Sequence, residues 1–368
     1  MTTAEPSIRP YRIDVPQPLL DDLSDRADRA RFVPELPGGE ARGVTVERLR
    51  SLVARWRTGY DWRSWEARLD AHPQFVTTID GLDVHFLHVR SSAPGAFPLL
   101  LTHGWPMTVV EYLDLVPRLV DGPAPFDLVI PSIPGFGFSA APAEPGWDRR
   151  RVARAWAELM RRLGYRHYGA HGNDVGAMIS LELGRLDPDH VAGVHVTQVF
   201  SLPSGDPDEL DGLSVEERDD LRTSQRFLRD QGAYLQLHAT QPQTLAHALG
   251  DSPTGQLAWS LQLYGPEVDA DYILTNATIH WLTNTSGSAA DVAYAPLGGD
   301  APPPTAVPVG VATFRDDVFR SVQRFARRDH PGIVTWNTYD RGGHHPARTV
   351  PDVLGRDIRE FFEPLRPT

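Results

Sequence analysis

The tightest constraint on this chain is a five-residue string. Gly172-Asn173-Asp174-Val175-Gly176 joins a short apolar run, residues 168–171, to an amphipathic segment over 175–186. A side chain presented on so sharp a strand-to-helix turn needs small residues on both sides, because the backbone there is strained and closely packed. Glycine-flanked aspartates are common in ordinary turns. The string therefore gains its weight from its setting, a strand before it and a helix after it.

That setting extends along the chain. Runs at 98–102 and 126–130 read as buried strands, 152–163 as a helix with an apolar stripe, and 191–199 as a β-branched strand. Alternating strands and helices imply a parallel sheet covered on both faces. Residues 1–95 read as a separate N-terminal unit. It has two amphipathic helices, 18–31 and 45–58, split by a proline- and glycine-rich stretch at 34–43. Runs at 74–79 and 82–89 then flank Asp80-Gly81, a hairpin turn signal. Residues 201–304 break the alternation with helical patterns and end in a proline-rich linker. Strands at 307–314 and 333–339 and a helix at 350–362 resume the series. A helical block inserted between two halves of a sheet reads as a lid over its carboxyl edge. The expected division is thus 1–95, 96–200, 201–304 and 305–368.

Composition narrows the chemistry. There is no cysteine, and all 36 basic residues are arginine. Thiolate catalysis, Schiff bases and a phosphate-loop lysine are excluded. A net charge of −12 argues against a nucleic-acid partner. The polar N-terminus and the lack of a long apolar run predict a cytoplasmic setting with no membrane contact.

Three further strings supply partners for Asp174. His103-Gly104-Trp105-Pro106 follows the 98–102 strand; the backbone N–H groups of Trp105 and Val175 are the expected oxyanion donors. His103 itself is read as ordering that loop. Arg341-Gly342-Gly343-His344-His345 follows the last strand and offers a general base. His344 is favoured by its flanking glycines, with His345 as rival. Phe314-Arg315-Asp316-Asp317 offers an orienting acid, Asp317, with Asp316 as the alternative.

Together with Arg9-Pro10-Tyr11, the 61–65 region, the 131–139 loop and Asp251-Ser252-Pro253, these strings resemble the microsomal-type epoxide hydrolases, bacterial members included. The likeness runs in order along nearly the whole chain. It implies an α/β-hydrolase fold: a mostly parallel sheet with helices on both faces, a helical lid and an N-terminal meander domain. It places the nucleophile on Asp174, the base on His344 and the acid on Asp317. Two lid tyrosines that hold and protonate the epoxide oxygen fall on Tyr234 and Tyr294. The implied partner is a small-molecule epoxide, and no metal or organic cofactor is implied. Four positions depart from the family: Val175 where Trp is usual, His345 where Phe is usual, Arg315 where Pro is usual, and Asp317 where Glu is more frequent. Val175 in place of Trp predicts a larger pocket and a bulky polycyclic or natural-product epoxide. A haloalkane dehalogenase, or a ligand-binding protein on the same scaffold, stays open as an alternative. So does homo-oligomerisation.

Overall fold

The computed structural model describes residues 7–293 and 303–367. Its nine strands are β1 (Arg9–Tyr11), β2 (Gln74–Ile79), β3 (Leu82–Val89), β4 (Phe97–Thr102), β5 (Phe126–Pro131), β6 (Tyr168–Gly172), β7 (Val191–Val196), β8 (Val309–Phe314) and β9 (Ile333–Tyr339). They form one sheet in the order β1-β2-β3-β5-β4-β6-β7-β8-β9. The β1–β2–β3–β5 pairings are antiparallel, and every pairing from β5 to β9 is parallel. The β2–β3 hairpin is thus continuous with the parallel sheet. Its turn residues Asp80 and Gly81 both take positive φ, 51° and 80°, as a tight two-residue hairpin requires.

Central strands are apolar on both faces, so the sheet is buried on both. Leu99 and Leu101 of β4 point into one core, with Leu354, Ile358 and Phe362 of the C-terminal helix Pro351–Phe362. Leu100, between them, points into the other. There Trp156, Leu159 and Met160 of Arg149–Arg162 cover the sheet with Ile179 and Leu183 of Val175–Leu186. After β4 the chain crosses to β5 on one side and returns to β6 on the other. The carboxyl ends of β4 and β6 therefore flank a topological switch point, where open α/β sheets leave a crevice.

Among the described residues, six α-helices lie between β7 and β8, from Val215–Asp230 to Ser286–Ala290. The helix Ala270–Leu282 is buried on all sides from Tyr272 to His280. It is pinned from two directions. Trp56 Nε1–H and Tyr60 O–H of the N-terminal region donate to Thr278 Oγ1 (2.9 Å) and Thr275 Oγ1 (3.1 Å). Asn276 Oδ1 accepts from the backbone and hydroxyl of Thr108, at 2.9 and 2.8 Å, just past the β4 loop. No helix among the described residues is long and apolar enough to cross a membrane.

Candidate active site

Asp174 sits between β6 and the helix Val175–Leu186 with φ 53° and ψ −125°, a conformation that side-chain-bearing residues rarely adopt. The glycines around it are sterically required. A Cβ on Gly172 would lie 2.1 Å from the Gly176 carbonyl oxygen. One on Gly176 would lie 2.0 Å from the Thr102 oxygen, and one on Gly104 2.3 Å from Asp174 Oδ1. Neighbouring side chains fix the turn. Asp174 N–H donates to Gln198 Oε1 (3.1 Å), Asn173 Nδ2 donates to the His344 carbonyl (2.8 Å), and Thr197 Oγ1 donates to Asn173 Oδ1 (2.6 Å).

The sequence strings converge on this carboxylate. Trp105 N–H donates to Asp174 Oδ1 at 2.9 Å, and Val175 N–H also bonds the carboxylate. His344 Nε2 stands 3.7 Å from Oδ2 and has no hydrogen-bond partner of its own. His344 Nδ1 lies 3.1 Å from Asp317 Oδ1, which also accepts from Phe319 N–H. With Nδ1 carrying hydrogen toward that carboxylate, Nε2 is the nitrogen that takes up or releases a proton on the Asp174 side. The Asp174 side chain retains 17% exposure against 5% for His344 and 4% for Asp317, so it is the member of the three most open to an incoming molecule.

Burial pushes the Asp174 pKa up, while nearby His344 and the two N–H donors pull it back. Burial also opposes charge on His344. The carboxylates of Asp317, Asp174 and Glu111 outweigh it and push His344 up to about 9. Tyr234 is raised well above the ordinary phenol value, by burial first and then by Asp174 and Asp317. It stays protonated at neutral pH. Tyr234 projects from the helix Ala233–Thr240, its ring stacked on Trp105 with centroids 5.2 Å apart. His238, one turn on, packs edge-on against both rings and accepts from Trp259 Nε1–H at 2.9 Å.

The alternatives separate in space. Asp316 is exposed, whereas Asp317 meets His344. His345 turns away from the carboxylate, with Nε2 on the Leu263 carbonyl. Arg315 is exposed and pairs with Asp340 at 3.5 Å. His103 is wholly buried and accepts from Ile133 N–H at Nε2 (3.3 Å), tying the β4 loop to the β5 loop. Burial lowers its pKa to about 4, so it is a neutral strut. Val175 joins Trp105 and Tyr234 in one apolar cluster. Tyr294 lies outside the described residues.

Sequence reasoning missed Gln198. Its amide donates to Asp317 and lies 2.9 Å from His344 Nδ1, while its oxygen takes the Asp174 N–H. It thus ties all three positions together. A polar residue closing a β-branched run, next to Thr197, was the only available hint.

Fold and elbow define a protein of the α/β-hydrolase class, and comparison with known proteins agrees. The alpha/beta hydrolase fold model matches residues 98–245, and the model of the epoxide hydrolase N terminus matches residues 8–112. A Stigmatella aurantiaca protein with an epoxide hydrolase name is 40% identical, over 98% of this chain and 86% of its own length. The juvenile hormone epoxide hydrolase of Bombyx mori superposes with a TM-score of 0.90 at 26% identity, over 98% of this chain and 95% of that one. The Aspergillus niger epoxide hydrolase gives 0.88 at 28% identity, over 99% and 98%. The chain belongs to the epoxide hydrolases, a family of enzymes.

Proposed function

We propose that this protein hydrolyses an epoxide to a vicinal diol through an ester on Asp174. The observation that carries the reading is the division of labour at its carboxylate: Oδ1 is held by Trp105 N–H, while Oδ2 faces His344 Nε2. Oδ2 attacks an epoxide carbon, the carbon–oxygen bond of the ring breaks, and the departing oxygen takes the Tyr234 proton. Tyr294 is assigned as the second donor. Asp174 Oδ1 is now the ester carbonyl oxygen, already seated against the Trp105 N–H, which with the Val175 N–H would stabilise a tetrahedral oxyanion. Water gives a proton to His344 Nε2 and adds to the Asp174 carbonyl carbon. Collapse breaks the acyl–Oδ2 bond, His344 returns its proton to the leaving alkoxide, and the acid formed at Asp174 reprotonates Tyr234. Asp317 orients His344 and balances its charge during the water step. A serine at position 174 would stop at a stable ether.

Residues 1–95 and 201–304 are assigned as the N-terminal epoxide-hydrolase-type domain and the lid, around a core of 96–200 and 305–368. Val175, small where the family usually carries Trp, supports a bulky polycyclic or natural-product epoxide as substrate. A cytoplasmic setting completes the reading. The test is His344→Gln mixed with a panel of bulky epoxides and quenched for intact mass. The expected result is a stoichiometric adduct of substrate mass on the peptide bearing Asp174, with turnover about 10³-fold below the parent. Unmodified protein with every epoxide, in parent and variant alike, would sink the reading.

A further inference from the structure

Against the His344 ring stands that of His345, perpendicular at 87° with centroids 5.2 Å apart. His345 is wholly buried, and its Nε2 lies 3.1 Å from the Leu263 carbonyl oxygen. A carbonyl only accepts, so Nε2 carries the hydrogen. Nδ1 then faces Glu111 Oε2 at 3.6 Å with no hydrogen-bond partner. Glu111, in the single turn Val109–Tyr112 after the β4 loop, is equally buried. Tyr272 O–H donates to its Oε2, and its Oε1 is unpartnered. Tyr264 stacks on His345 at 4.7 Å, its own hydroxyl buried without a partner.

A carboxylate set against a neutral imidazole nitrogen would oppose two lone pairs in a fully buried place, a costly arrangement. One proton between them removes the conflict. Imidazolium with carboxylate, or carboxylic acid O–H on Nδ1, each leaves the pair with no net charge.

We propose that Glu111 and His345 share one buried proton and that this neutral pair is a positioning element that frees His344 to act as a base. The inference rests on the reading of His344 as the base for ester hydrolysis. Among the described residues, the charged and titratable groups facing His344 are Asp174, Asp317, Glu111 and His345. Those around the pair are Tyr264, Tyr272, Tyr112 and His103; Arg348, over the Tyr272 ring, is already matched by Asp114 and Asp269. An uncompensated Glu111 carboxylate would help Asp317 keep His344 protonated, even after Asp174 has become a neutral ester. A phenylalanine at position 345 could not share a proton. This chain's histidine can.

The test compares the parent, His345→Phe and His345→Phe/Glu111→Gln by rapid mixing with an epoxide that the parent turns over. Rates of ester formation and ester decay are followed across pH. The inference expects His345→Phe to form the ester but to have the acid limb of its decay displaced upward by about one pH unit. Adding Glu111→Gln should bring the limb back. An unmoved limb in the single variant, or a displaced one in the double, overturns the inference. Should His345→Phe fail to fold, ¹⁵N-histidine NMR of the parent decides. A shared or fully held proton at Nδ1 together with N–H at Nε2 supports the pair; hydrogen on Nδ1 with a bare Nε2 overturns it. A parent that forms no ester at all removes the mechanistic reading first, and this inference with it.

Discussion

At the scale of single residues, the proposed mechanism has Asp174 and His344 each raise the other's readiness at a different stage. While Asp174 is a carboxylate, it adds to Asp317 in holding His344 up to about 9, so the histidine of the free protein is mostly charged at neutral pH. A charged His344 cannot accept a proton, but it does keep its neighbour ionised for attack. Conversion of Asp174 to an ester removes one negative charge 3.7 Å from Nε2. On this mechanism the His344 pKa would then fall, making a base available when the water step needs it. The sign is testable. Ester decay should rise with pH along an acid limb lying below about 9; a limb at or above the His344 titration of the free protein would contradict this. The residues of this site were largely legible, because the elbow demands Gly172 and Gly176 and the chain order of nucleophile, acid and histidine restricts the rest. Gln198 was not, since its three contacts exist only after β7 is laid beside β6.

Among elements, the helix Ala270–Leu282 couples the inserted block to the β4 loop. Asn276 Oδ1 takes two donors from Thr108, and Asn276 Nδ2 gives its hydrogen to the Tyr272 carbonyl. Replacing Asn276 by Ala leaves the buried Thr108 donors without that acceptor, at a cost of about 1–3 kcal/mol. Urea unfolding should show that loss; a change below about 0.5 kcal/mol would mean the helix is held elsewhere. Elements with strong local signals were read nearly to the residue: the helix Val175–Leu186, both hairpin strands, and β9. Those with weak signals were not. The helix Trp62–Asp70 passed unnoticed, although Asp61 caps it by accepting from Ser64 N–H. The strand expected over 191–199 ends at Val196, because Thr197 and Gln198 leave the ladder to reach Asn173 and the elbow.

For the whole molecule, the N-terminal region completes the enzyme's sheet. β3 pairs with β5, and Trp56 and Tyr60 hold the helix Ala270–Leu282 from the other side. Residues 96–368 alone would leave β5, buried along its full length, as an open edge. That fragment should collect in the insoluble fraction; a soluble, monodisperse, cooperatively folding fragment would contradict this dependence. Strand order was the part of the fold least open to sequence reasoning. Local patterns announce strands but not the crossing that seats β4 between β5 and β6, and with it the β4 loop beside Asp174. Everything at the site then turns on whether Asp174 becomes covalently attached to substrate. Repeated turnover of an epoxide in H₂¹⁸O, followed by mass analysis of the peptide carrying Asp174, tests that most directly. The ester route predicts ¹⁸O accumulating in the Asp174 carboxylate; diol formed over many turnovers with that carboxylate unlabelled would contradict it.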